Sequence, residues 1–165
     1  MSTTTQAAPA RQTGNTDRIE RNIHIKATRS RVWQSISNAE DFGKWFGATL
    51  KGGPFKPGQH VTGLINFTVA GNDKIMFDAV FERVEPESLL SYRWHPYAVD
   101  AAIDYSKEER TTVVFTLKDA PDGTLLTVVE SGFDKVPAAR RAEAFRMNSG
   151  GWEGQLRNIG NYVAQ

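Results

Sequence analysis

The stretch that most restricts this chain is its C-terminal end. Ala138, Ala142, Phe145, Trp152, Leu156, Ile159 and Val163 recur at steps that add threes and fours, which is the apolar stripe of an amphipathic helix. Pro137 suits the first position of such a helix. About 27 residues rising 1.5 Å each extend roughly 40 Å, enough to cross a whole small domain. The stripe lapses once. Ser149 stands where a large apolar residue is expected, flanked by Asn148, Gly150 and Gly151. Two adjacent glycines inside a helix cost roughly 1–2 kcal/mol relative to alanine. A kink, or close packing against a sheet, accounts for them. So does a gap left open beneath the helix for a ligand.

The rest of the chain reads as strands with two short helices. Ile19, Ile23 and Ile25 alternate at period two, which argues for a strand over 18–26. Thr28 offers an N-cap oxygen ahead of Val32, Trp33 and Ile36. Asn38 with Asp41 resembles a capping box ahead of Phe42, Trp45 and Phe46. Strand-like runs follow at 59–67, 74–84, 89–94, 110–118 and 124–131. They are consecutive and joined by turn sequences such as Ala120-Pro-Asp-Gly-Thr124, so the sheet is expected to be antiparallel. The 96–109 segment reads as a long loop, a length uncommon unless it covers or binds something.

Composition sets the class of partner. The 165 residues carry 20 basic and 19 acidic side chains, a net charge of +1. This gives no electrostatic reason to expect nucleic acid or an anionic membrane. The absence of cysteine excludes disulfides, thiolate catalysis and cysteine zinc sites, and suits the cytoplasm. No apolar run approaches a membrane span. Residues 1–17 hold no large apolar residue after Met1 and read as a disordered tail, leaving 18–165 as one domain.

The segments ATRSRVWQSISNAEDFGKWF, FERVEPESLLSYRW, TVVESGF and FRMNSGGWEGQLRNIGNYV together resemble the START-like helix-grip (SRPBCC) superfamily. Within it they are most similar to the activator of heat-shock-protein-90 ATPase homologue branch. The resemblance implies an α+β fold: a curved antiparallel sheet of about six to seven strands around a long C-terminal helix, with two short helices after the first strand. It also implies a ligand cavity between sheet and helix, since members of the fold bind or cyclise lipids, hormones and polyketides. The eukaryotic activators carry this domain after a separate N-terminal one. Only 17 residues precede the first strand here, which argues against a co-chaperone role.

The expected cavity walls are Phe67, Phe77, Tyr92, Trp94, Phe115, Phe145, Asn148, Ser149 and Trp152, with His95 and Glu130 as polar members. Glu130 shares parity with Leu126 and Val128, so it either points inward as a ligand anchor or pairs with Arg93, Arg146 or Arg157 at the barrel end. His95 and Glu130 are also the candidate acid–base groups if the cavity hosts a cyclase or hydrolase. Asp100, Asp104, Glu108 and Glu109 with Tyr97 and Tyr105 form either a substrate lid or a solvated charged loop. His24 and His60 have no ligand at metal spacing, and GGPFKPG lacks the phosphate-loop pattern. The expectation is therefore a binder of a small, mainly hydrophobic molecule, without metal or cofactor. An exposed edge strand offers a route to a homodimer.

Overall fold

The structure, a computed structural model, describes residues 16–165. The chain runs β1 (Arg18–Ile25), α1 (Arg29–Ser37), α2 (Ala39–Phe46), β2 (His60–Leu64), β3 (Met76–Glu85), β4 (Leu89–Trp94), β5 (Thr111–Ala120), β6 (Gly123–Ser131) and α3 (Ala138–Val163). All six strands pair antiparallel in the order β1-β6-β5-β4-β3-β2. With α3 laid across one face, this is the helix-grip architecture.

Local chemistry explains the boundaries. The Thr28 side chain accepts from the Arg31 amide (3.2 Å) and Asn38 Oδ1 from that of Asp41 (3.2 Å). Each cap satisfies an amide that a helix start leaves unpaired. Along β6, Thr124, Leu126, Val128 and Glu130 are buried while the alternate residues are half-exposed. Glu130 therefore enters the core by strand periodicity. The predicted tail falls on residues 1–15, outside those described, and on Thr16 and Asp17. The Asp17 carboxylate accepts from the Gly132 and Asp134 amides at 3.2 and 2.9 Å, which fastens the chain start to the turn after β6.

Three features differ from the sequence reading. The long helix runs unbroken through Gly150 and Gly151, and a Cβ at either position would meet nothing within 4 Å. Close packing against the sheet therefore does not explain the glycines. The buried face of α3 is Ala144, Trp152, Leu156, Ile159 and Val163, whereas Ala138 and Ala142 are exposed. The helix start rests instead on the buried Phe133 and Val136 of the preceding turn. Finally, β2 stops at Leu64 and β3 starts at Met76. Between them Ala70 (φ 51°) and Gly71 (φ 83°) make a tight turn closed by Val69 and Asn72. This irregular link stands beside the cavity described below.

Gly63 is among the glycines demanded by close approach. A Cβ on Gly63 of β2 would lie 2.1 Å from the Thr49 carbonyl oxygen, because residues 48–49 bond alongside the end of that strand. Gly63→Ala should lower unfolding free energy by about 2 kcal/mol through overpacking. Gly150→Ala should raise it by about 0.5–1 kcal/mol, since an alanine there meets open space and favours helix. Urea denaturation of the two variants checks both signs.

Candidate functional site

Glu130 sits at the junction of sheet and helix with no exposed surface. Its carboxylate accepts four hydrogen bonds. Oε2 takes the Trp94 indole N–H (2.8 Å) and the Thr111 hydroxyl (2.6 Å). Oε1 takes the Asn148 amide (2.9 Å) and the Trp152 indole N–H (2.8 Å). The donors come from β4, β5 and α3, so one side chain of β6 joins three strands to the long helix. All four are neutral. The arginines expected as partners are elsewhere: Arg93 bonds Glu82 at 2.7 Å, and Arg146 lies 3.9 Å from Glu143. Burial pushes the Glu130 pKa above its usual 4.5, against the four bonds, which pull it down. Tyr92 is fully buried nearby, and its hydroxyl has no partner. Its pKa is pushed well above 10.0 by burial and by the Glu130 charge.

Beside this junction lies a cavity of about 650 Å³. Trp94 and Trp152 form its floor with ring centroids 5.9 Å apart. Because both indole N–H groups are turned toward Glu130, the two rings offer apolar surface to the cavity. Phe46 and Phe77 extend that floor, each within 6 Å of the Trp94 ring centre. One wall is the link between β2 and β3, through Ile65, Phe67 and Ile75. The facing wall is residues 97–106, and Gly151 opens the helix side. Phe67, Met76 and Ile103 are large apolar side chains left exposed around the mouth.

The 97–106 wall is held in place by a residue that sequence reasoning missed. Arg140 of α3 donates to the Glu108 carboxylate at 2.6 and 3.0 Å and to the Pro96 carbonyl at 2.7 Å. Its guanidinium lies 4.8 Å from the Tyr105 ring centre. Nothing local in the sequence marks this pair, which spans 32 positions. A second fastening, Arg110, donates to the Asp78 carboxylate (3.1 Å) and to the Asp78 and Arg93 carbonyls. Asp78 also bonds His60 (2.8 Å). Burial works to raise the Asp78 pKa, but His60 and Arg110 together hold it below the usual 3.8. His95 Nε2 donates to the Glu108 carbonyl (3.0 Å). Its pKa is lowered from 6.5, first by burial, with the Arg110 charge adding to the effect.

The structure brings Phe67, Phe77, Trp94, His95, Asn148 and Trp152 to the cavity wall. Five other expected residues do not line it. Tyr92 and Phe115 lie beneath the floor, packed among Phe42, Trp45 and Phe81. Phe145 points toward the helix start, edge-on to Phe133 at 5.2 Å. Ser149 is half-exposed on another face of α3. Glu130 lies behind the two tryptophans, so its role is to fix them; it has no lone pair turned toward the cavity that is not already engaged. His24 bonds the Pro121 carbonyl (2.6 Å). Among the described residues no group of three His, Asp or Glu could hold a metal, and no helix is long and apolar enough to cross a membrane.

Glutamine at 130 would turn an NH₂ toward two donors. Glu130→Gln should therefore lower stability by about 2–4 kcal/mol at neutral pH. The sign of the pH dependence follows from the raised pKa. Above 4.5 the folded state keeps a proton that the unfolded state releases, so this group's contribution falls as pH rises through the native pKa. The wild-type minus variant difference in urea midpoints, measured from pH 4 upward, should shrink across that window.

Comparison with known proteins places the chain. Residues 26–164 match the sequence profile described as "Activator of Hsp90 ATPase homolog 1-like protein". No curated protein matches. Among solved structures, protein MLL2253 from Mesorhizobium loti superimposes with TM-score 0.68 at 20% identity, covering 89% of this chain and 96% of that one. DynU16, a protein of the dynemicin biosynthetic locus, gives TM-score 0.65 at 22% identity, over 90% of this chain and 48% of that one. The Aha1 dimer from Colwellia psychrerythraea gives 0.64 at 15% identity, over 88% and 95%. At these identities the structures bear on the fold, and the fold is shared along nearly the whole domain. On the profile match across most of its length, the chain belongs to the activator of Hsp90 ATPase homolog 1-like family.

Proposed function

We propose that this protein binds a small, mainly hydrophobic molecule in the cavity between the sheet and α3. The observation that carries the reading is the aromatic floor: two indoles held by Glu130 with their N–H groups turned away from the space. A cavity of about 650 Å³ has the size and aromatic lining of small-molecule sites. Burying ligand surface there would drive affinity at about 25 cal/mol per Å². The cysteine-free composition supports placing this activity in the cytoplasm. The acid–base alternative loses Glu130 as a candidate, since it is sealed behind Trp94 and Trp152. Self-association, by analogy with the Colwellia dimer, has less strand edge to use than the sequence suggests. The Thr49 amide and the Gly47 carbonyl already bond residues 64–66 at the end of β2.

The test is to fill the space. Gly151 lines the cavity, and a side chain there meets no neighbour within 4 Å of its first carbon. Gly151→Phe should weaken binding of the apolar dye Nile red at least tenfold, and should abolish any small molecule that co-purifies with wild type in native mass spectrometry. Unchanged dye affinity in a folded variant would place the binding surface elsewhere.

A further inference from the structure

Several polar groups of the cavity are already committed to protein partners. Asn148 donates its amide to Glu130. Both Nη groups of Arg110 bond to Asp78 and the Arg93 carbonyl, so this half-buried cation has a carboxylate partner. Lys74 and Arg110 on the lining stand against Asp78, Asp100 and Asp104, an excess of one negative charge. An anionic headgroup would face that excess, with the exposed Lys74 as the one lining cation that has no carboxylate partner among the described residues.

His95 is different. A carbonyl can only accept, so the contact of Nε2 with the Glu108 carbonyl requires that nitrogen to carry the proton. The neutral ring then has a bare lone pair on Nδ1. Among the described residues that atom has no hydrogen-bond partner, and it keeps some surface rather than being sealed in the core. It is therefore accessible, on a residue that lines the cavity. The Glu108 carbonyl that fixes the tautomer is itself held by the Arg140 clamp on Glu108.

We infer that His95 Nδ1 accepts a hydrogen bond from the bound molecule, and that the ligand is an uncharged, ring-containing alcohol or phenol rather than a carboxylate. The inference rests on the cavity reading above and names the chemistry of its occupant. The aromatic floor takes the ring system, and the unpaired Nδ1 takes the hydroxyl.

The experiment uses the full chain and three probes of one shape: 2-naphthol, naphthalene and 2-naphthoate, by isothermal titration calorimetry at pH 7.5. The expected order is 2-naphthol about tenfold tighter than naphthalene, as one net hydrogen bond supplies, with 2-naphthoate weakest. In His95→Phe the naphthol-to-naphthalene ratio should fall toward one. A second reading needs no variant. As pH drops below the His95 pKa, which burial holds under the usual 6.5, protonation converts Nδ1 to a donor, so the wild-type ratio should collapse. The charged groups facing this ring are Glu108 from its own loop, Asp78 from β3 and Arg110 at the end of that loop, with Arg140 of α3 behind Glu108. Asp78 has its pKa held low, so it does not take up protons in that range. Naphthoate binding as tightly as naphthol, or a ratio that neither the variant nor acid changes, would overturn the inference while leaving the cavity reading intact. Failure of all three probes to bind would sink both.

Discussion

The arrangement depends on one buried carboxylate. Glu130 is fully buried and has no counter-ion among the described residues, and burying such a group is tolerable only when every lone pair is used. Here it is used fourfold, by Trp94, Thr111, Asn148 and Trp152. An apolar residue at 130 would still allow strand pairing. It would not specify where α3 stops along the sheet or which way two large indoles face. The carboxylate fixes both, because neither indole can rotate without leaving a strong acceptor unpaired. Protein interiors otherwise favour close packing, and a space of about 650 Å³ beside a core persists only if its walls cannot fold into it.

The remaining walls follow the same logic at larger radius. Arg140 fastens the 97–106 wall to the start of α3 by a nearly buried, two-pronged bond to Glu108. Such a geometry resists bending more than a single contact does. Arg110, just before β5, bonds to Asp78 of β3 and to the Arg93 carbonyl of β4, holding the strand ends at the cavity level. The helix contributes by omission. Gly151 leaves the space next to Trp152 open, and the helix accepts the propensity cost because Trp152, Leu156 and Ile159 anchor its next turns.

What could be read from sequence was what is local. Thr28 and Asn38 announce the two short helices because a cap is a contact over three positions. Alternation in 124–131 places Glu130 inward with no knowledge of its neighbours. The long stripe locates α3 but misjudges its first turns. Ala138 and Ala142 fit a helical period, yet Phe133 and Val136 had already filled the space beneath them. The partners of Glu130 are 18 to 36 positions away and neutral, whereas reading by charge looks for arginine. Periodicity likewise cannot separate a residue beneath a cavity floor from one on it. Tyr92 and Trp94 share a face of β4, and only the position of α3 decides that Trp94 meets the space while Tyr92 meets Phe81 and Phe115.

The same distinction bears on how function divides between the two acidic and basic candidates of the sequence. Glu130 and His95 both sit near the cavity, both have pKa values shifted by burial, and both look like acid–base groups when geometry is ignored. Their hydrogen bonds separate them. Every acceptor site on Glu130 that faces a neighbour is filled by the protein, so its perturbed pKa reports structural burial. His95 spends one nitrogen on a backbone carbonyl and keeps the other bare, so its perturbation preserves an acceptor at neutral pH. A shifted pKa points to a ligand contact only where a valence is left over, and that condition is what supports the proposal for the histidine over the glutamate.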